Sequence, residues 1–312
     1  MMRKVGLWSV AVLSALVVGI ITVALSFPFL TMNDPCGAKV AVVEGWIDPG
    51  YMPDVRDMLT EGAYDTIYIT GTPRNFSYTL RIGDTVVVEL QRPLSGDLLV
   101  NACGALNAGL VVLDDHGVIL TDSVFGPCID RRARIERPTT RLFFAPTHTG
   151  VPDPKWELLF LLYAKVDGIN LHALQRSVRI HRSSGKVEPG TPSYADAMAG
   201  ALVELGVLAT RIHRLPTVML GESRTWANAQ RFAEEAKARS IHRVDVISFG
   251  IHARRSRLAY SEACGNGVVV GIRNVGDPEL RPGQWWRSPM GWLKVLRELV
   301  GVPASYLVGT VQ

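Results

Sequence analysis

Ser248-Phe249-Gly250-Ile251-His252-Ala253-Arg254-Arg255-Ser256 follows directly on an apolar run that starts at Val244. An apolar strand entering a helix through a single glycine is the turn a parallel sheet makes at its carboxyl edge. There the helix N–H groups and the positive helix end favour an anion, and open α/β sheets bind their ligands at that edge. One histidine and two arginines on such a turn make it an anion site. The competing structural reading has His252 capping the helix and the arginines on its solvated face.

Working outward, the chain reads as alternating strands and helices. Val268 to Val275 follows as a strand, and a last helix runs from Pro289 to about Leu299. Upstream come a long helix from Ser223 to Arg239, a strand from Arg211 to Val218, and a helix from Ser193 to Leu205 closed by Gly206. Near the start, Lys39 to Trp46 and Thr66 to Gly71 are strands around a helix from Asp54 to Glu61, a βαβ unit. The order predicts a doubly wound, Rossmann-like α/β domain of about five parallel strands, formed by residues 38–73 and 190–302.

Residues 74–189 break that pattern with short β-type runs: Thr85 to Leu90, Leu98 to Ala102, Leu110 to Leu113, Arg141 to Ala145, Trp156 to Val166 and Ser177 to Arg182. Short strands separated by Gly, Pro and Asp predict an inserted all-β sandwich or jelly roll.

Residues 1–32 are expected to hold a cytoplasmic start and a transmembrane anchor. The uncharged run from Val5 to about Thr31 exceeds the ~20 residues a helix needs to cross a bilayer. Arg3 and Lys4 precede it, so the expectation is a single-pass inner-membrane protein with its C-terminal domain extracytoplasmic; a cleaved signal peptide ending near Ala24-Leu25-Ser26 is the alternative. Arg3 and Lys4 are the only charged residues among the first 30, leaving 31 basic against 29 acidic side chains in the rest. That balance is no nucleic-acid footprint. A hydrophobic share of 47% with 20% charged residues is globular. The four cysteines allow three complete pairings, and pairing within each part is expected: Cys103 with Cys128, and Cys36 with Cys264.

No GxGxxG follows the first strand, and no GxxxxGK[ST], HExxH or GxSxG occurs. The chemistry therefore rests on four turns at the carboxyl edge: Glu44-Gly45-Trp46, Thr70-Gly71-Thr72-Pro73, Gly221 to Trp226, and the His252 turn. Ser223 is the expected N-cap, with Arg224 and Thr225 in the first turn of its helix and Asn228 one turn on. An arginine there opposes the helix dipole unless an anion answers it. Arg224, Arg254 and Arg255 are thus expected to grip a phosphate or carboxylate, or else to pair with Glu44 or Glu222. A histidine titrates near neutrality, so His252 is the candidate general acid or base. Ser256 shows no partnering base in the sequence. The expected ligand-binding set is Glu44, Gly45, Thr70, Gly71, Thr72, Ser223, Arg224, Thr225, Asn228, Gly250, Arg254 and Arg255, with no metal.

In the insertion, Trp156 and Tyr163 offer stacking surfaces or core aromatics, Asp114-Asp115 and Asp153 offer calcium ligands or turn acids, and Arg131-Arg132, Arg134, Arg137 and Arg141 form a basic cluster. Gln284-Trp285-Trp286-Arg287-Ser288 is expected to anchor the last helix.

Gly45-Trp46, Thr70-Gly71-Thr72-Pro73, Ser223-Arg224-Thr225-Trp226-Ala227-Asn228-Ala229 and His252-Ala253-Arg254-Arg255-Ser256 together resemble the YdcF/SanA/ElyC-type family of bacterial envelope proteins. The resemblance implies a Rossmann-like domain, often attached to the inner membrane, with a role in envelope integrity linked to peptidoglycan and lipid-carrier metabolism. It also implies S-adenosylmethionine as a possible cofactor, since one member is similar to a binder of it. Many relatives carry a Glu-Ala pair where this chain has Ser193-Tyr194-Ala195-Asp196-Ala197-Met198. The function expected is a membrane-anchored protein that binds a phosphate-bearing or nucleotide-like ligand and acts as a hydrolase or transferase on an envelope precursor. The alternative is a non-catalytic binding or scaffold protein whose β-domain binds carbohydrate or a partner.

Overall fold

The computed structural model describes residues 25–104, 108–124, 126–148, 158–217 and 223–309. In chain order these form β1 (Val40–Glu44), α1 (Met52–Glu61), β2 (Thr66–Gly71), β3 (Tyr78–Arg81), β4 (Thr85–Gly104), β5 (Ala108–Asp114) and β6 (Gly117–Ser123). Then come β7 (Ile129–His148), β8 (Leu158–Val166), β9 (Ile169–Asn170), the one-turn α2 (Leu171–Leu174), β10 (Gln175–His181) and β11 (Val187–Pro189). The chain ends with α3 (Tyr194–Glu204), β12 (Ile212–Pro216), α4 (Arg224–Ala238), β13 (Arg243–Phe249), α5 (Ala253–Cys264), β14 (Val269–Val275) and α6 (Pro289–Gly309). Two compact units result, one from Met1–Thr72 with Met198–Gln312 and one from Pro73–Ala197.

The first unit holds a five-stranded parallel sheet in the order β12-β2-β1-β13-β14. Its inner strands are apolar runs buried on both faces, as a sheet covered by helices demands. From β1 the chain winds outward through β2 and β12, then crosses to β13 and β14, so the strand order reverses between β1 and β13. Ala41, Val42 and Val43 pair with Asp245, Val246 and Ile247 across that junction. A crevice opens at such a reversal because the two neighbouring connections leave in opposite directions.

The expected sandwich or jelly roll is corrected by the second unit, which is one curled nine-stranded antiparallel sheet around one core. Runs that read as separate strands are parts of β4 and β7, each twenty residues long. The first half of β4 pairs with β10 and the second half with β8, while β7 lies along both halves. The bend falls where the β4–β7 register shifts, between Glu89 and Gly96. Pro93 sits in this irregular stretch, where a missing ladder donor is tolerated, and Gly96 takes a φ of 144° that a side chain would resist. Bent long strands let a single sheet close over Phe76, Val88, Val100, Leu142 and Phe144, so no second sheet is needed.

The expected transmembrane helix, and with it the single-pass inner-membrane placement, is also corrected. Among the described residues no helix is long and apolar enough to cross a membrane. Residues 1–24 of the expected anchor lie outside the described residues, and residues 25–30 form a helical turn and a half that packs on the α/β unit. Phe27 and Leu30 are buried there with Ile251, Leu280, Trp285, Val295 and Val302.

Cys103 and Cys128 form a disulfide that joins the ends of β4 and β7, whereas Cys36 and Cys264 are free. The basic cluster of the insertion is not one open patch. Buried Arg131 bonds Asp122 and the carbonyls of Ala102, Ile129 and Ser123, Arg134 pairs with Asp97, and Arg141 pairs with Asp115. Asp114 accepts from the backbone N–H groups of His116 and Gly117, and Asp115 from Thr139, Thr140 and Arg141. Both acids thus hold turns together; Asp153 and Trp156 fall outside the described residues.

Candidate functional site at the sheet reversal

Backbone geometry shapes the turn after β13 first. Gly250 has a φ of 55°, and a Cβ on it would come within 2.9 Å of the Asp277 Cβ, so only glycine fits. Asn274 Nδ2 donates to the Gly250 carbonyl at 3.0 Å, tying the turn to β14. Residues 250–252 make a 3-10 turn that runs into α5, and the His252 side chain caps nothing.

His252 instead faces α6. Its Nδ1 is 3.0 Å from Oε1 of Glu298, a buried carboxylate, and 3.1 Å from an Arg255 guanidinium nitrogen. Arg255 Nε is 3.3 Å from Glu298 Oε2, an ion-pair contact too poorly aligned for a hydrogen bond. A guanidinium can only donate, so Nδ1 accepts from Arg255, and the Glu298 carboxylate beside the same nitrogen answers the charge of the ring when it is protonated. Trp46, at the end of β1, meets the imidazole edge-on with ring centroids 5.1 Å apart.

A cavity of 430 Å³ opens beside this group, lined by Trp46, Asp48, Arg224, Phe249, Ile251, His252, Arg255, Asp277, Leu280, Lys294, Arg297 and Glu298. Its floor lies past the ends of β1 and β13, the two strands at the reversal, and α4, α6 and the stretch after β14 complete its walls. Lys294 is answered by Glu279, and Arg255 by Glu298. Arg224 and Arg297, both exposed, have no hydrogen bond or ion pair among the described residues, so their charge is available to an anion.

Of the residues expected to bind, Arg224, His252 and Arg255 line the cavity. Arg254 does not. Its Nε donates to the Phe29 carbonyl at 2.5 Å and its guanidinium stacks 3.7 Å from the Phe29 ring centroid. Ser223 caps α4 by accepting from the Trp226 N–H. Glu44, Gly45, Thr70, Gly71, Thr72, Thr225, Asn228 and Gly250 are buried framework. Asn228 Oδ1 accepts from Thr217 Oγ1, Gly45 N–H donates to the Thr70 carbonyl, and Thr70 Oγ1 bonds the Tyr260 hydroxyl. Glu222 and Gly221 lie outside the described residues.

Glu44 is the one acid among these framework residues. It is fully buried and accepts a 2.6 Å bond from Ser256 Oγ, which in turn is 2.9 Å from Ser248 Oγ. Burial pushes its carboxyl up, against the lowering effect of the two serine hydroxyls. Glu44 Oε1 and Trp46 Nε1 are buried without a hydrogen-bond partner. Ser256, which reads as a surface residue of its helix, is thus the buried link in this network.

Sequence reading missed Glu298. Its signal was spacing: Val295, Glu298 and Val302 share the buried face of α6, so an acid stands where an apolar residue belongs. Asp196 is accounted for by Ser193, with which it forms a reciprocal cap at the start of α3. Among the described residues no cluster of side chains has a metal-binding arrangement. Compared with protein-family models and with curated proteins, the chain matches none.

Proposed function

We propose that the α/β unit binds a phosphate-bearing or nucleotide-like small molecule in the cavity at the sheet reversal and uses His252 to move a proton on it. The observation that carries the reading is the His252–Glu298 pair on the wall of a cavity that also presents Arg224 and Arg297. The two arginines hold the anionic group, and charge that develops on it during hydrolysis or transfer is stabilised by the same guanidinium groups. His252 as imidazolium gives a proton to the leaving group, and Glu298 stabilises that charged form. The resemblance to envelope proteins favours a peptidoglycan or lipid-carrier precursor as the substrate class. Non-catalytic ligand binding is the second reading; the Arg255–Glu298 pair favours it, because it spends one of the cavity's cations inside the protein.

Turnover and binding assays on the full chain separate the two, using sugar phosphates, nucleotides and short polyprenyl phosphates. Catalysis predicts phosphate ester turnover that His252→Ala abolishes while binding persists. Binding without product would support the sensor, and no binding by any of these anions would overturn both.

A further inference from the structure

The outer face of the β unit carries an ordered grid of side chains. Where β7, β4 and β8 run side by side, Asn101 stands opposite Asp130 and Tyr163, and Leu99 opposite Arg132 and Lys165. The intervening residues Leu98, Val100, Ala164 and Val166 point into the core, so the grid is the solvent side of the sheet.

The first row is held rigidly. Asp130 Oδ1 accepts from Asn101 Nδ2 at 2.7 Å and from the Tyr163 hydroxyl. Asn101 is nine-tenths buried, yet its Oδ1 has no partner. That oxygen is closed to solvent, so Asn101 serves the rigidity of the row through its bond to Asp130. The second row carries two cations on either side of Leu99. Lys165 lies 5.0 Å over the Tyr163 ring, and Arg132 has no hydrogen bond or ion pair among the described residues. In the next row Asp97 pairs with Arg134, and Asp167 accepts from the Asp97 N–H, so those charges are answered internally. A cavity of 530 Å³ opens over the last two rows, with Leu99 and Arg132 in its wall.

We propose that this face binds an anionic saccharide. A carboxylated or phosphorylated sugar complements the grid: a second acid for Arg132 and Lys165, which share only the Asp130 charge, and hydroxyls that donate to the other Asp130 oxygen. Leu99 and the aliphatic stem of Lys165 give its ring an apolar floor. The site lies wholly within the β unit and does not depend on the His252 cavity.

The test is a binding titration of the full chain with a short oligogalacturonate, with a neutral cello-oligosaccharide and polyglutamate as comparison probes. The expected result is saturable binding of the oligogalacturonate that Arg132→Ala and Lys165→Ala each weaken at least about tenfold and that Asn101→Ala also weakens. Melting curves of the Arg132→Ala and Lys165→Ala variants should stay close to the parent's. Three results would overturn the proposal: no saturable binding, equal binding of polyglutamate, which is charge without sugar, or an affinity unchanged in the folded Arg132→Ala and Lys165→Ala proteins.

Discussion

The Glu298 carboxylate, 3.0 Å from Nδ1 of His252, ties the last helix of the chain to the turn after β13. The same carboxylate balances Arg255, so one buried acid fixes both the ring and the cation at the cavity wall. Arg255→Ala removes the only guanidinium paired with Glu298 among the described residues and leaves a buried charge uncompensated. It should cost about 3 kcal/mol, the lower end for breaking a buried pair because Arg255 is 28% exposed, as read from urea unfolding at neutral pH. Glu298→Gln should unfold at nearly the parent concentration but alter the pH dependence of turnover, since an amide orients the ring without stabilising its charge.

Glu44 gives a pH-dependent prediction of opposite sign to the usual carboxylate. Because burial raises its folded-state pKa, its contribution to stability is fully present below the ordinary value of 4.5 and is lost as pH rises through the raised one. Glu44→Gln should therefore gain thermal stability relative to the parent as pH goes from acid to alkaline. Melting temperatures of the two proteins across that range check it; a constant difference would show that folding leaves the Glu44 pKa unchanged.

His172 works the other way. Burial lowers its pKa to about 4, while Nε2 sits 2.7 Å from the Tyr78 hydroxyl. A base with a depressed folded pKa favours the fold above its unfolded value, and that contribution is lost as pH falls from about 6.5 to about 4, at most roughly 3 kcal/mol. Unfolding of the parent and His172→Asn at neutral pH and near pH 4.5 should show the parent losing more on acidification.

The disulfide between Cys103 and Cys128 closes a loop of 25 residues. Replacing both cysteines with alanine should cost about 3 kcal/mol through the extra freedom of the unfolded chain, seen as a lower midpoint in denaturant with the β-sheet spectrum retained.

Much of the parallel sheet was legible because β1, β2, β13 and β14 are mostly apolar runs closed by glycine or polar turns, interrupted by Asp245 in β13 and by Gly271 and Arg273-Asn274 in β14. The curled sheet was not. Proline reads as an end of strand, yet Pro93 and Pro138 both lie inside twenty-residue strands, at places where the β4–β7 ladder is irregular. Within the site, adjacent arginines on one helix looked alike in sequence, but a step of 100° sends Arg255 to the cavity and Arg254 to Phe29. The partner of Arg254 belongs to a stretch that reads as membrane-buried, so sequence gave it no reason to sit there. Glu298 was hidden because it is 46 residues from His252 and meets it only through the packing of α6 on α5.

The most direct test is a thermal-shift titration of the full chain with phosphate-bearing ligands, run in parallel on Arg224→Ala and Arg254→Ala. A ligand at about 100 times its dissociation constant adds roughly 2.7 kcal/mol to the stability of the protein that binds it. The cavity account predicts a clear rise for the parent and for Arg254→Ala, and its loss in Arg224→Ala. A rise that survives in Arg224→Ala but disappears in Arg254→Ala would contradict it.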